Sequence, residues 1–254
     1  MEISGKTAII TGGATGIGEV YARAFAAGGA NVVISDIRRS EGEKLADELG
    51  NGGGSGAIFV EADVTDETQT EKMAEQAVEA FSQIDILVNN AAIYFELGTK
   101  KPFDEISSGE WDKVMAVNVR GVWNCARAVA PHMRRRESGK IVNISSVVSH
   151  MGAPGFAHYV ASKSAVIGLT RALARELGSH NITVNAVAPG LVSNDSSRQL
   201  NADEYLERAS AGRSLHRGMA PRDLVGAVLF LSSPNSDFIS GQTFVVDGGA
   251  VMNG

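Results

Sequence analysis

The stretch Thr7-Ala8-Ile9-Ile10-Thr11-Gly12-Gly13-Ala14-Thr15-Gly16-Ile17-Gly18 joins an apolar run to a glycine cluster, and a helical pattern follows through Ala27. An apolar run with little in/out alternation predicts a strand buried on both faces, as in a parallel sheet covered by helices. Glycines placed directly after such a strand let the backbone turn tightly and approach a pyrophosphate. The helix that follows offers free N–H groups and a positive dipole end. Turns also collect glycine, so the strand–loop–helix context is what points to a dinucleotide here.

Further along, the run Asn31–Ser35 ends against Asp36, about 18 residues after Gly18 and so near the spacing of a ribose-binding acid. A carboxylate at a strand end can accept hydrogen bonds from both ribose hydroxyls of the adenosine half. It also repels a 2′-phosphate, so NAD is favoured over NADP. Arg38 and Arg39 could reach such a phosphate, but two basic residues at a helix start read as solvated. Thr15 adds no positive charge to the loop.

Similar Val/Ile-rich runs recur at Ala57–Glu61, Asp85–Asn89, Lys140–Ser145, Ile182–Val187 and Thr243–Val246. Helical patterns lie between them, for example Gly18–Ala27, Glu67–Phe81, Trp111–Arg135 and Ala161–Leu177. Strand–helix alternation implies right-handed crossovers. The expected fold is α/β: one doubly wound Rossmann-type domain over residues 1–254, with a seven-stranded parallel sheet flanked by helices on both faces. The dinucleotide site is expected mainly in 7–95, and catalytic and substrate elements mainly in 110–215. Ser107 and Glu110 have capping-box spacing and predict a helix start just before Trp111. Asn51–Gly56 reads as a surface turn between a helix and a strand.

Composition excludes several alternatives. A net charge of −6 disfavours nucleic acid as a partner. No apolar run is long enough to span a membrane, and Met1–Gly5 has no apolar signal core. Cys125 is the one cysteine, inside an apolar helical stretch, and reads as a core thiol in a reducing, cytoplasmic setting. The five histidines lack metal-ligand spacing, so no metal is expected.

Thr11-Gly12-Gly13-Ala14-Thr15-Gly16-Ile17-Gly18 resembles the TGxxxGxG signature of the short-chain dehydrogenases/reductases. Asp63-Val64 resembles the family's adenine-holding pair, and Asn89-Asn90-Ala91-Ala92 its NNAG segment with Ala92 for glycine. Pro189-Gly190 is similar to the turn beside the nicotinamide, and Asp247-Gly248-Gly249 to the C-terminal strand end. The resemblance therefore implies cofactor contacts from Gly12, Thr15, Gly16, Ile17, Gly18, Asp36, Asp63, Val64, Asn90, Ala91, Tyr159, Lys163, Pro189, Gly190 and Val192. A threonine usually follows the Pro-Gly turn to bind the carboxamide; Asn194 stands there and can both donate and accept.

Tyr159 and Lys163 are four residues apart in a helical pattern and share one face. A free tyrosine has a pKa of about 10, too high for an efficient base near neutrality, and a nearby ammonium is expected to lower it. Ser146 ends an apolar strand, where parallel-sheet sites gather. The resemblance implies that Tyr159 transfers the proton, Ser146 binds the substrate oxygen, and Lys163 binds the nicotinamide ribose and tunes Tyr159. It implies that Asn118 anchors a water. Strand alternation aims Ser145 elsewhere.

The expected activity is hydride transfer between NAD and a secondary alcohol or ketone. Tyr94, Phe95, His150, Met151, Phe156 and Leu191 are expected at the substrate pocket. Their apolar character suits an aromatic or alicyclic substrate more than a sugar. Much of the chain also resembles 3-oxoacyl carrier-protein reductases, which typically use NADPH and dock an acidic carrier through basic residues. Glu137 and His180 stand where such basic residues are expected, although Arg134–Arg136 lies close by. A catalytically silent NAD-binding scaffold predicts loss of some of Asn118, Ser146, Tyr159 or Lys163, and all four are present. Apolar residues on more than one side of the helices around Trp123 and Leu169 predict a homotetramer, with the tail Gln242–Gly254 in a second contact.

Overall fold

A computed structural model describes residues 2–51, 56–94, 97–98, 100–193, 197, 201 and 203–252. The strands are β1 Thr7–Thr11, β2 Asn31–Asp36, β3 Ala57–Glu61, β4 Ile86–Asn89, β5 Gly139–Ile144, β6 Ile182–Pro189 and β7 Thr243–Val246. They form one parallel sheet in the order β3-β2-β1-β4-β5-β6-β7. The order reverses beside β1, where β2 pairs on one side and β4 on the other. Such a switch point opens a crevice at the carboxyl ends of the strands.

The helices are α1 Gly16–Ala27, α2 Arg39–Gly50, α3 Glu67–Phe81, α4 Ser108–Met115, α5 Gly121–Arg135, the short α6 Val148–Met151, α7 Ala157–Leu177, α8 Asp203–Ala211 and α9 Arg222–Leu231. They cover both faces of the sheet. Ala8 and Ile10 of β1 belong to one core with Phe25, Leu45 and Val228. Ile9 faces the other core with Met73, Cys125, Met133 and Ile141. This alternation is apolar on both sides, which is why the strands read as continuous runs. Cys125 is fully buried, and burial pushes its thiol up to about 12, as expected of a packing thiol.

Two helix boundaries differ from the sequence expectation. The capping box forms as predicted, with Ser107 Oγ accepting from the Glu110 N–H and Glu110 accepting from the Ser107 N–H. The helix then does not run unbroken to Arg135: residues Ala116–Arg120 form a π turn between α4 and α5. The extra residue per turn brings Asn118 inward, where it is completely buried. In addition, α7 starts at Ala157 rather than Ala161, so Tyr159 lies in its first turn.

A buried polar chain ties the sheet to α7. The Asn89 amide donates to Asn143 Oδ1 (2.9 Å), Asn143 donates to Thr170 Oγ1 (2.9 Å), and Thr170 donates to the Val166 carbonyl (2.8 Å). Asn143→Ala leaves the Asn89 amide and the Thr170 hydroxyl without this partner, and opens a small void. Denaturant unfolding is expected to show a loss of about 2–3 kcal/mol. A variant as stable as the parent would show that the chain contributes nothing net.

Candidate active site

Each functional group sits where a strand ends. Thr11, the last residue of β1, accepts the N–H groups of Asn90 and Ala91 on its hydroxyl, both at 3.1 Å. Asn90 returns hydrogen bonds from its amide to the carbonyls of Thr11 (3.1 Å) and Gly12 (3.0 Å). The glycine loop is thereby stapled to the end of β4. Gly12 has φ +60°, and a Cβ there would lie 2.8 Å from Ala91 Cα. A Cβ on Gly18 would come within 1.9 Å of the Gly12 carbonyl, so no side chain fits at that helix–loop contact.

Gly16, by contrast, faces open space with φ +62°. Thr15, at the N-cap of α1, makes no side-chain cap bond; its hydroxyl accepts from the Arg38 guanidinium at 3.2 Å. The first-turn N–H groups of α1 are therefore not capped by a side chain and border open room, the arrangement that suits a phosphate. Ile17 packs on the core behind them.

Asp36 ends β2 and is nearly buried. One carboxylate oxygen accepts from the Ala14 N–H (3.0 Å) and the other from the Arg38 N–H (3.1 Å). Each oxygen retains acceptor capacity for a hydroxyl. The two arginines behave differently. Arg39 is paired with Glu43 and Glu61, whereas Arg38 lies over the loop at Thr15. Asp63 accepts from the Thr65 N–H and hydroxyl, both at 2.8 Å, and the Val64 carbonyl accepts from the Asn124 amide (2.9 Å). Across the crevice, Gly190 donates to the Val246 carbonyl (2.9 Å), and Val192 bridges to Met219. Pro189 closes β6 just before this turn. Asn194 and Phe95 lie outside the described residues.

Ser146, Tyr159 and Lys163 meet at the end of β5. Lys163 is buried and donates to the Ile144 carbonyl at 2.9 Å. Its Nζ lies 5.7 Å from the Tyr159 ring centroid. Ser145 spends its hydroxyl on the Lys163 carbonyl (2.8 Å), which anchors β5 to α7. The Ser146 hydroxyl accepts weakly from the Val148 N–H and hydrogen-bonds Tyr159. Asn118 does not reach this group directly. Its Oδ1 accepts from the Ile93 N–H (2.7 Å), and its amide donates to the Ile93 carbonyl (3.2 Å) and Ser162 Oγ (3.1 Å). The π turn thus holds the strand-end loop carrying Ile93 against α7.

The electrostatics correct one expectation. Burial raises the Tyr159 phenol well above its ordinary value, the Tyr94 ring adds to that, and only the bond with Ser146 opposes it. Burial also lowers the Lys163 ammonium to about 8. Loss of hydration is the largest cause of both shifts, and it favours the protonated form of Tyr159.

Tyr94 packs against Tyr159 with ring centroids 5.4 Å apart, and its hydroxyl is hydrogen-bonded to Asn201. Phe156 is buried at the N-cap of α7, whereas His150 and Met151 in α6 are exposed. Leu191 lines a cavity of about 480 Å³ beside α8, together with Leu206, Arg213 and Met219. Sequence reasoning missed Arg213. Its guanidinium donates to the carbonyls of Leu191 (2.6 Å) and Arg217 (3.0 Å), which holds the loop after the Pro-Gly turn. It also missed Thr11, whose hydroxyl staples the loop. Among the described residues no group of His, Cys, Asp and Glu could hold a metal. No helix among them is long and apolar enough to cross a membrane.

Comparison with known proteins adds a second line. A family model described as enoyl-(acyl carrier protein) reductase matches residues 12–251. A 3-oxoacyl-[acyl-carrier-protein] reductase of Thermotoga maritima is 38% identical over 252 residues, spanning 99% of this chain and 100% of its own. One from Synechocystis is 38% identical over 98% of each chain. A solved structure from Agrobacterium tumefaciens, described as a "putative gluconate dehydrogenase", superposes with TM-score 0.92 at 33% identity, covering 99% of this chain and 98% of that one.

Proposed function

The chain belongs to the short-chain dehydrogenase/reductase family, and on that premise we propose that it is an NAD-dependent oxidoreductase interconverting a secondary alcohol and a ketone. One observation carries this: Ser146, Tyr159 and buried Lys163 converge at the end of β5, on the crevice side where the glycine loop leaves β1. The cofactor, when bound, supplies or accepts the hydride. The chain's own groups handle the oxygen. Tyr159, whose protonated form burial favours, gives its phenolic proton to the ketone oxygen in reduction; in oxidation it is the phenolate form that takes the proton from the alcohol. Ser146 donates to the same oxygen and holds it in place. Lys163 eases the charge left on Tyr159 and offers its remaining N–H bonds to ribose hydroxyls. Asn118 keeps the Ile93 loop in position, and Asp63, Val64 and Asn90 shape the adenosine side.

For the substrate we propose a 3-oxoacyl thioester, reduced to the 3-hydroxyacyl thioester. The names of the Thermotoga and Synechocystis relatives, matched along nearly their whole length, support it. A second reading, an aromatic or alicyclic ketone, draws on the apolar side chains of Tyr94, Phe156 and Leu191. A same-subunit docking of a carrier protein on Arg134–Arg136 is disfavoured. That triplet ends α5 next to the start of β5, at the opposite end of the sheet from Ser146, and Arg136 is paired with Asp85 at 3.3 Å.

Turnover of 3-oxobutanoyl thioesters and of alicyclic ketones, each with NADH and NADPH, tests the reading. Reductases of the carrier-protein kind typically use NADPH, so the cofactor choice turns on Asp36. The parent is expected to favour NADH. Asp36→Ala removes the ribose acceptor and the repulsion of a 2′-phosphate, and is expected to lower that preference by about tenfold or more, as for loss of one charge-assisted hydrogen bond. A parent that already prefers NADPH contradicts the assignment.

We further propose a homotetramer. Trp111 and Trp123 on α4 and α5 are exposed, as is Phe238 just before β7. Aromatic surface at these two places supports one contact through the α4–α5 and α7 helices and a second through the C-terminal strand. Light scattering during gel filtration is expected to give about four times the chain mass of 26.6 kDa. A single-chain mass contradicts the assembly.

A further inference from the structure

The cations around the active-site cleft differ in how they are spent. Lys163 donates to the Ile144 carbonyl, and Arg213 to the Leu191 and Arg217 carbonyls. Lys101 is paired with Glu110. Lys100 makes no ion pair among the described residues, and its ammonium rests on aromatic rings instead. Its Nζ is 4.1 Å from the Tyr205 ring centroid and 5.8 Å from that of Phe156.

This position is built. The Lys101 N–H donates to the Gly155 carbonyl (3.2 Å), and a Cβ on Gly155 would lie 2.6 Å from Lys100 Cβ. Gly155, at φ +86°, therefore leaves room for the Lys100 stem that a side chain there would take. Phe156 caps the helix whose first turn carries Tyr159, and Tyr205 belongs to α8. Tyr94 connects the same two sides, with its ring on Tyr159 and its hydroxyl on Asn201. The Lys100 ammonium thus stands between the start of the helix that carries Tyr159 and α8, on the side of the site where Tyr94 packs on Tyr159.

Aromatic faces hold an ammonium without neutralising it, and they hold it less strongly than an anion does. In a chain of net charge −6, an uncompensated cation at the cleft rim attracts negative ligands to that point. We propose that Lys100 is a specificity-determining residue that binds an anionic group, a carboxylate or a phosphate, carried by the substrate beyond its reacting carbon. On binding, the ammonium leaves Tyr205 for the anion, and the contact between Lys100 and α8 is exchanged for one with substrate. This deepens the alcohol/ketone reading of the site and rests on it.

Two matched substrate pairs test the proposal and separate the sources of negative charge. One is a 3-oxo carboxylate against its methyl ester; the other is a 3-oxobutanoyl thioester of 4′-phosphopantetheine against that of pantetheine. The readout is the ratio of kcat/KM, charged over neutral, within each pair. In the parent, the ratio is expected above unity in the pair whose anion Lys100 reads. Lys100→Met is expected to lower that ratio by about tenfold, the scale of one lost charge-assisted contact, and Lys100→Arg to preserve it. High salt is expected to lower it in the parent as well. An unchanged ratio in both pairs, with rates falling together or not at all, overturns the role of Lys100 while leaving the oxidoreductase reading intact. A parent that reduces none of these four compounds nor any ketone of the wider panel overturns the reading itself and the proposal with it.

Discussion

The hydrogen bond from Lys163 to the Ile144 carbonyl fixes the centre of this molecule. It joins a helix to the last residue of β5, and with the Ser145–Lys163 bond it sets where the first turn of α7 stands relative to the strand ends. Tyr159, four residues earlier on that helix, and Ser146, two residues past that strand, inherit their positions from it. A buried ammonium is costly unless it finds acceptors. Lys163 therefore tightens the contact between β5 and α7, and its own proton is loosened, down to about 8.

The glycine loop follows a comparable logic. The loop is tied to β4, because Asn90 and Ala91 donate four hydrogen bonds to Thr11 and Gly12 across the switch point. Gly12 and Gly18 exclude side chains by contact with backbone, while Gly16 leaves space. A rigid loop with one open side is preorganised, so little ordering remains to be done when a phosphate arrives. Asn118, buried within the π turn, extends this rigidity by holding Ile93.

Much of this was legible in the sequence. Strand limits agree within one or two residues, because runs such as Asn31–Val32–Val33–Ile34 are apolar on both faces and end at polar punctuation. The convergence of Ser146, Tyr159 and Lys163 was legible from helical spacing and motif order. The π turn was not, since its apolar period passes for a continuous helix. The direction of the Tyr159 shift was not either. A neighbouring ammonium can be read from spacing, but the depth of burial that outweighs it belongs to the packed structure. The contacts of Lys100 with Phe156 and Tyr205, and of Tyr94 with Tyr159, join segments far apart in the chain and carry no local pattern.

Burial of both titrating groups supports the proposed chemistry, in which Tyr159 serves as the acid near neutrality and loses its support when Lys163 gives up its proton. The pH dependence of the hydride-transfer step during ketone reduction, followed in single turnovers at saturating cofactor, tests this most directly. The rate constant is expected to be level below neutrality and to fall as pH rises through about 8, where Lys163 becomes neutral. Tyr159→Phe is expected to be slower by about 10²-fold or more and to lose this dependence. A reduction rate that climbs with pH, or a Tyr159→Phe variant that reduces ketones at close to the parent rate, would contradict the account.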